Sequence, residues 1–207
     1  MILDLETRRQ ATHLLSGLFF ATAVYALDTM YAFALLGIAA LLTFVLSFEI
    51  KKGKRVPVFS WLVTKTERKG KPPASGVTWY FLGVILIFVA SLMMHVPKEI
   101  VVAAMLVVAI GDSICTGLGR KIGTKRLPYT TTKSYEGSFI GFGAAFFGAA
   151  FVLKLALSTG NAMILAAVGA TVGMLTEAYL RCLDDNFTIP VMAWLAMVIA
   201  ATLLGLI

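Results

Sequence analysis

Long apolar runs separated by short polar connections dominate this chain. A helix needs about 20 apolar residues to cross a hydrocarbon core about 30 Å thick. Seven segments answer to that description: His13 to Leu27, Met30 to Phe48, Val77 to Met94, Ile100 to Ile110, Ser138 to Leu157, Ala162 to Leu180 and Ile189 to Ile207. Composition agrees, with 59% apolar and 14% charged residues, against roughly 45–50% and 25% in soluble domains. The expected fold is therefore all-α: a polytopic membrane protein of about seven transmembrane helices, residues 1–207 forming one bundle. A cleaved leader is the competing reading of the first segment, because Arg8 and Arg9 precede it and Val24-Tyr25-Ala26 imitates a cleavage site. The mixed charge contributed by Asp4 and Glu6 favours a retained helix. Cys115 and Cys182 are too few for a disulfide scaffold and read as small apolar fillers.

Charge placement orients the spans. If each span switches sides, every Lys and Arg except Lys98 and Lys154 falls on one face. Cytosolic loops carry that excess, so the N-terminus and the polar loops are expected in the cytosol. The longest connection, the basic stretch 49–76, contains one apolar patch, Val56 to Val63, expected to lie at the interface as an amphipathic segment. Its cations either orient the protein on anionic lipid or steer a phosphate-bearing substrate. The basic loops have little aromatic interleaving, which argues against nucleic acid as a partner.

The fourth segment is too short. Ile100 to Ile110 makes about 16 Å of helix, so the helix must continue through Gly111 and Asp112 or break among the glycines that follow. If it continues, Asp112, Thr116 and Arg120 share one face. Polar groups at membrane depth face protein or water and usually mark function.

Three stretches on the cytosolic side carry possible chemistry. In Gly111 to Gly123, an acid, hydroxyls, Gly117, Gly119 and the Arg120-Lys121 pair suit phosphate binding, although glycines also serve close helix packing. In Lys125 to Ser138, cations at Lys125, Arg126 and Lys133 stand beside Ser134 and Glu136. They read either as a polyphosphate and metal site or as a helix entry capped by Ser134. In Glu177 to Pro190, Glu177 and Arg181 suit a helical ion pair. Asp184, Asp185 and Asn186 read as hard ligands for Mg²⁺ or as a solvated turn ending at Pro190. His13 is either a packed group or a base. The expected active-site loops are 111–137 and 181–188.

Together these stretches resemble the CTP-dependent lipid-alcohol kinases, the family of dolichol kinase, phytol kinase and fungal-type diacylglycerol kinase. The resemblance rests on Arg8-Arg9-Gln10-Ala11-Thr12-His13, on Gly111-Asp112 leading to Arg120-Lys121, on Lys133 to Ser138, and on Glu177 followed by Asp184 to Pro190. The family's first motif often has Arg-Lys before the His, and Gln10 departs from it. The resemblance implies a membrane enzyme of lipid and isoprenoid metabolism that transfers the γ-phosphate of CTP to a membrane lipid alcohol, with Mg²⁺ as cofactor. It implies catalytic roles for Asp112, Asp185 and His13, and metal binding by Asp112, Glu177, Asp184 and Asp185. Gly117, Gly119, Arg120, Lys121, Lys125, Lys133, Ser134, Glu136 and Asn186 would hold the nucleotide. CTP rests on the resemblance alone, and neither the alcohol nor the oligomeric state is specified. A CTP:lipid-phosphate cytidylyltransferase is the nearest alternative, and a small transporter or lipid-binding scaffold the alternative from another class.

Overall fold

Why the chain folds as a bundle is visible in its most buried element. A computed structural model describes residues 4–66, 72–128, 130, 133–180 and 183–207. The helices are α1 (Leu5–Ala26), α2 (Thr29–Lys51), α3 (Pro57–Thr66), α4 (Ser75–Met93), α5 (Lys98–Leu106), α6 (Ser113–Ile122), α7 (Tyr135–Leu153), α8 (Thr159–Tyr179) and α9 (Asp185–Leu203). Between α5 and α6 the chain does not break. A π-helical segment, Val107–Asp112, joins them into one rod, Lys98–Ile122. At 1.5 Å per residue, 25 residues reach about 37 Å, enough to cross. Of the two courses its shortness allowed, the fourth segment therefore takes the first and continues through Gly111 and Asp112.

This rod is the core. Ile100 to Ala109 are all buried, and α1, α4, α7, α8 and α9 pack around it. By contrast α2 lies at the periphery, with only 11% of its central window buried. Among the described residues, six helices are long and apolar enough to span a membrane: α2, α4, the α5–α6 rod, α7, α8 and α9. Around them, large apolar side chains such as Phe19, Phe139, Phe147 and Phe151 stand exposed, as a lipid-facing surface requires. The chain is a multi-pass integral membrane protein. The first of the seven expected spans is a 22-residue helix, α1, but Glu6, Arg8 and Arg9 lie in its opening turns and it is not among those six. It nonetheless runs antiparallel along the whole rod. At one end Glu6 lies 3.7 Å from Arg120, and at the other the Lys98 ammonium donates to the Tyr25 carbonyl at 2.7 Å.

Local signals account for the helix ends. Asp4 caps α1 through the Thr7 amide, Ser134 caps α7 through the Gly137 amide, and Asp184 accepts from the Asn186 amide at the start of α9. The last cap corrects one boundary. The seventh segment, expected from Ile189, begins at Asp185, and Pro190 lies inside the helix rather than closing a turn. The expected loops are shorter for the same kind of reason. Residues 111–122 are helical, with Gly111 and Gly119 closely packed and Gly117 facing open space, and 181–188 is already helical from Asp185. The interfacial patch in 49–76 is α3, with Val58 and Trp61 exposed. Arg68, Lys69, Lys71, Arg181 and Cys182 lie outside the described residues, and with them the proposed Glu177–Arg181 pair.

Where α6 meets α7 the two backbones nearly touch. A Cβ on Gly137 would lie 2.7 Å from the Gly119 Cα and 2.9 Å from the Cys115 carbonyl oxygen, whereas a Cβ on Gly143 meets nothing within 4 Å. Gly137→Ala is therefore expected to destabilise the detergent-solubilised protein by about 1–3 kcal/mol. Gly143→Ala should be neutral or stabilise by up to about 1 kcal/mol. Equilibrium unfolding of the two variants checks the contrast.

Candidate functional site

One end of the rod delivers a carboxylate into the bundle. Asp112 closes the π segment and is buried, and the Thr116 hydroxyl donates to its Oδ1 at 3.1 Å. One turn further, Arg120 reaches Glu6 of α1. Asp112, Thr116 and Arg120 line one cavity of about 500 Å³, as their spacing by four predicts. From α8 comes Glu177, only 1% exposed, and from the N-terminal turn of α9 come Asp184, Asp185 and Asn186. Lys133 and Ser134 enter from the loop before α7.

The Lys133 ammonium stands among the acids. It lies 2.9 Å from Glu177 Oε1 and 3.5 Å from Asp185 Oδ2, and also donates to the Glu177 backbone carbonyl. Burial disfavours its charge, but Glu177 and Asp185 outweigh that and hold the Lys133 pKa above its ordinary value. Its charge thus stabilises the fold fully below the unfolded lysine pKa, and that contribution is lost only as pH rises through the raised native value. Glu177 Oε2, also buried, has no hydrogen-bond partner among the described residues.

The remaining candidates divide. Ser134 both caps α7 and donates to the Gly119 carbonyl at 3.3 Å, holding the loop against α6 while lining the cavity. Gly119 lines it too. The Asn186 amide donates to the Gly76 carbonyl at 3.2 Å, tying α9 to α4. Glu136 does not line the cavity. Its carboxylate accepts from the Thr124 hydroxyl and the Lys125 amide, so it fastens the turn after α6. Gly117, Lys121 and Lys125 also lie off the cavity wall. His13 lines a separate cavity of about 100 Å³ and packs edge-on against Tyr80.

Glu6 and Arg9 line the large cavity as well, although the sequence alone gave them no site role. Arg9 Nε donates to Glu6 Oε1 at 2.9 Å and Gln10 Nε2 to the same oxygen at 3.2 Å. The spacing of Glu6, Arg9 and Gln10 by three and four was the available signal. The contact with Arg120 was not, because it depends on tertiary packing.

The donor set suits Mg²⁺ in a particular way. Among the described residues, no group of three or more His, Cys, Asp or Glu side chains is arranged to hold a metal ion. Five carboxylates nonetheless line the cavity, and one buried oxygen, Glu177 Oε2, has no partner among the described residues. That fits an ion bound by one or two carboxylates together with substrate phosphates, rather than an all-protein cage.

Fold and site together define a multi-pass membrane protein with an ionised cavity at one end of its bundle. No family model matches the chain, and no solved structure matches it significantly. It is similar to an uncharacterized protein of Rickettsia prowazekii (strain Madrid E), with 31% identity over 134 residues. The match covers 64% of this chain and 61% of the relative's length.

Lys133→Met should lower stability by about 3–5 kcal/mol, because Glu177 is left as an uncompensated buried charge. Adding Glu177→Gln should restore most of the loss. Denaturant titration of the single and double variants in one detergent checks both.

Proposed function

We propose that the protein is a membrane kinase that transfers the γ-phosphate of CTP to the hydroxyl of a lipid alcohol. The observation that carries the reading is the convergence of Asp112, Arg120, Lys133, Glu177 and Asp185, distant in sequence, on one cavity. The order of motifs resembling the CTP-dependent lipid-alcohol kinases supports the same reading and supplies the choice of CTP. The acceptor is a polyprenol or dolichol, a phytol-like alcohol or diacylglycerol. On this reading α1 crosses as a seventh span beside the rod, and the cavity end and N-terminus face the cytosol. Sixteen of the 18 Lys and Arg residues then lie on the cytosolic side.

Phosphoryl transfer depends on positioning and on neutralising charge. Arg120 and Lys133 hold the triphosphate, with Ser134 and the Gly119 backbone at the same wall. Lys133 exchanges its carboxylate partners for phosphate oxygens. Asp112 and Asp185 would hold Mg²⁺, with Glu177 and Asp184 beside them; when bound, the ion neutralises charge on the phosphates. The acceptor oxygen forms its bond to the γ-phosphorus as the bond from that phosphorus to the β–γ bridging oxygen breaks. CDP leaves, and the hydroxyl proton passes to a cavity carboxylate.

Purified protein given CTP labelled at the γ-phosphate, Mg²⁺ and a panel of lipid alcohols is expected to yield labelled lipid phosphate. Asp112→Asn and Asp185→Asn should each reduce the rate at least about a hundredfold. Label entering lipid only from the α-phosphate, with pyrophosphate released, would establish a cytidylyltransferase instead. Absence of any labelled lipid would reject the kinase.

A further inference from the structure

Beside the large cavity lies the smaller one, between the polar ends of α1 and α4, with Thr12, His13, Ser16, Ser75 and Gly76 on its walls. Arg9, Asp184 and Asn186 line both cavities. The two cavities therefore adjoin at these three residues. Two buried polar atoms among the wall residues, His13 Nε2 and Ser75 Oγ, have no hydrogen-bond partner among the described residues. Leaving such groups unpaired costs about 1–3 kcal/mol each, which makes them candidates for a ligand.

Their chemistry restricts that ligand. The imidazole Nε2 accepts or donates according to its tautomer, and Ser75 Oγ does both. A hydroxyl, donor and acceptor together, can pair with either atom. Among the described residues the one Lys or Arg on the wall is Arg9, which already pairs with Glu6, and Asp184 adds a carboxylate, so a phosphate meets no unpaired Lys or Arg among them. About 100 Å³ is roughly three water volumes, enough for a hydroxymethyl group and its first carbons.

The neighbouring seam leads toward lipid. There α1 and α4 meet through ring contacts, Phe20 with Phe81 and His13 with Tyr80, and Leu15 and Val77 stand exposed at the same level. We propose that this cavity seats the head of the acceptor: an uncharged lipid alcohol, its hydroxyl held between His13 and Ser75 and its chain leaving along the α1–α4 seam. The inference rests on the kinase reading for the reaction, but it concerns binding and can be tested without turnover.

The probe is a long-chain primary alcohol carrying a diazirine near its hydroxyl, added to the full-length protein in lipid nanodiscs with light as the trigger. Crosslinks are expected in residues 9–16 and 75–80. Excess parent alcohol should reduce them about tenfold, a shift of about 1.4 kcal/mol in binding, and the matching lipid phosphate should leave them unchanged. Thr12→Leu and Ser75→Leu, which fill the cavity, should each lower labelling about tenfold. Their binding of Mg²⁺–CTP, read by thermal shift, reports that the fold is retained. Crosslinks confined to other helices, absence of specific labelling, equal competition by the lipid phosphate, or undiminished labelling of both variants would overturn the acceptor seat. Labelling as expected without any γ-phosphate transfer would leave the seat standing and reject the kinase.

Discussion

An acid inside an apolar bundle needs a counter-charge, and here a single lysine serves several acids. Lys133 comes from a loop, yet it lies between Glu177 of α8 and Asp185 of α9. Without it the ends of those helices would present like charges to one another across a space that lipid cannot solvate. The loop bearing Lys133 is fixed in turn by Ser134 against α6 and by Glu136 against the preceding turn. The ion pair thus draws α6, α7, α8 and α9 into one arrangement at the polar end of the bundle.

The π segment does related work within the rod. Wider turns change the rotation of everything that follows, so Asp112 at the end of the segment and Thr116 and Arg120 of α6 line the cavity while Ile100 to Leu106 of α5 stay buried. Such segments are rare and occur often at functional sites. Here the segment also supplies the Val108 carbonyl that faces His13, so one irregularity bears on both cavities.

Much of this was legible in the sequence, for identifiable reasons. Apolar run length marks spans directly, and spacing by four placed Asp112, Thr116 and Arg120 on one face because the helix continued. Asp184 was readable as a polar residue before a helix, but its capping role was hidden by Pro190, which suggested a later start. Pro190 falls in the second turn of α9, where it cannot donate to the Asn186 carbonyl, and the helix runs on through it. Glu136 was readable as a ligand or as the acidic first turn of α7, but its contact with the Lys125 amide was not, since only the folded turn brings the two together. Ser75 and Gly76 carried no signal. Their importance arises from α4 meeting α1 and α9, a convergence that no local pattern encodes.

The pairing of α1 with the central rod has a mechanical consequence. The two are joined near both extremities, Glu6 to Arg120 and Tyr25 to Lys98, so neither slides along the other. They form a strut of set length, while α2 remains at the rim with little of its surface covered. In a thicker or thinner bilayer the strut tilts as a unit. The depth of the ionised cavity relative to the headgroups then follows the strut's angle and not the outer helix.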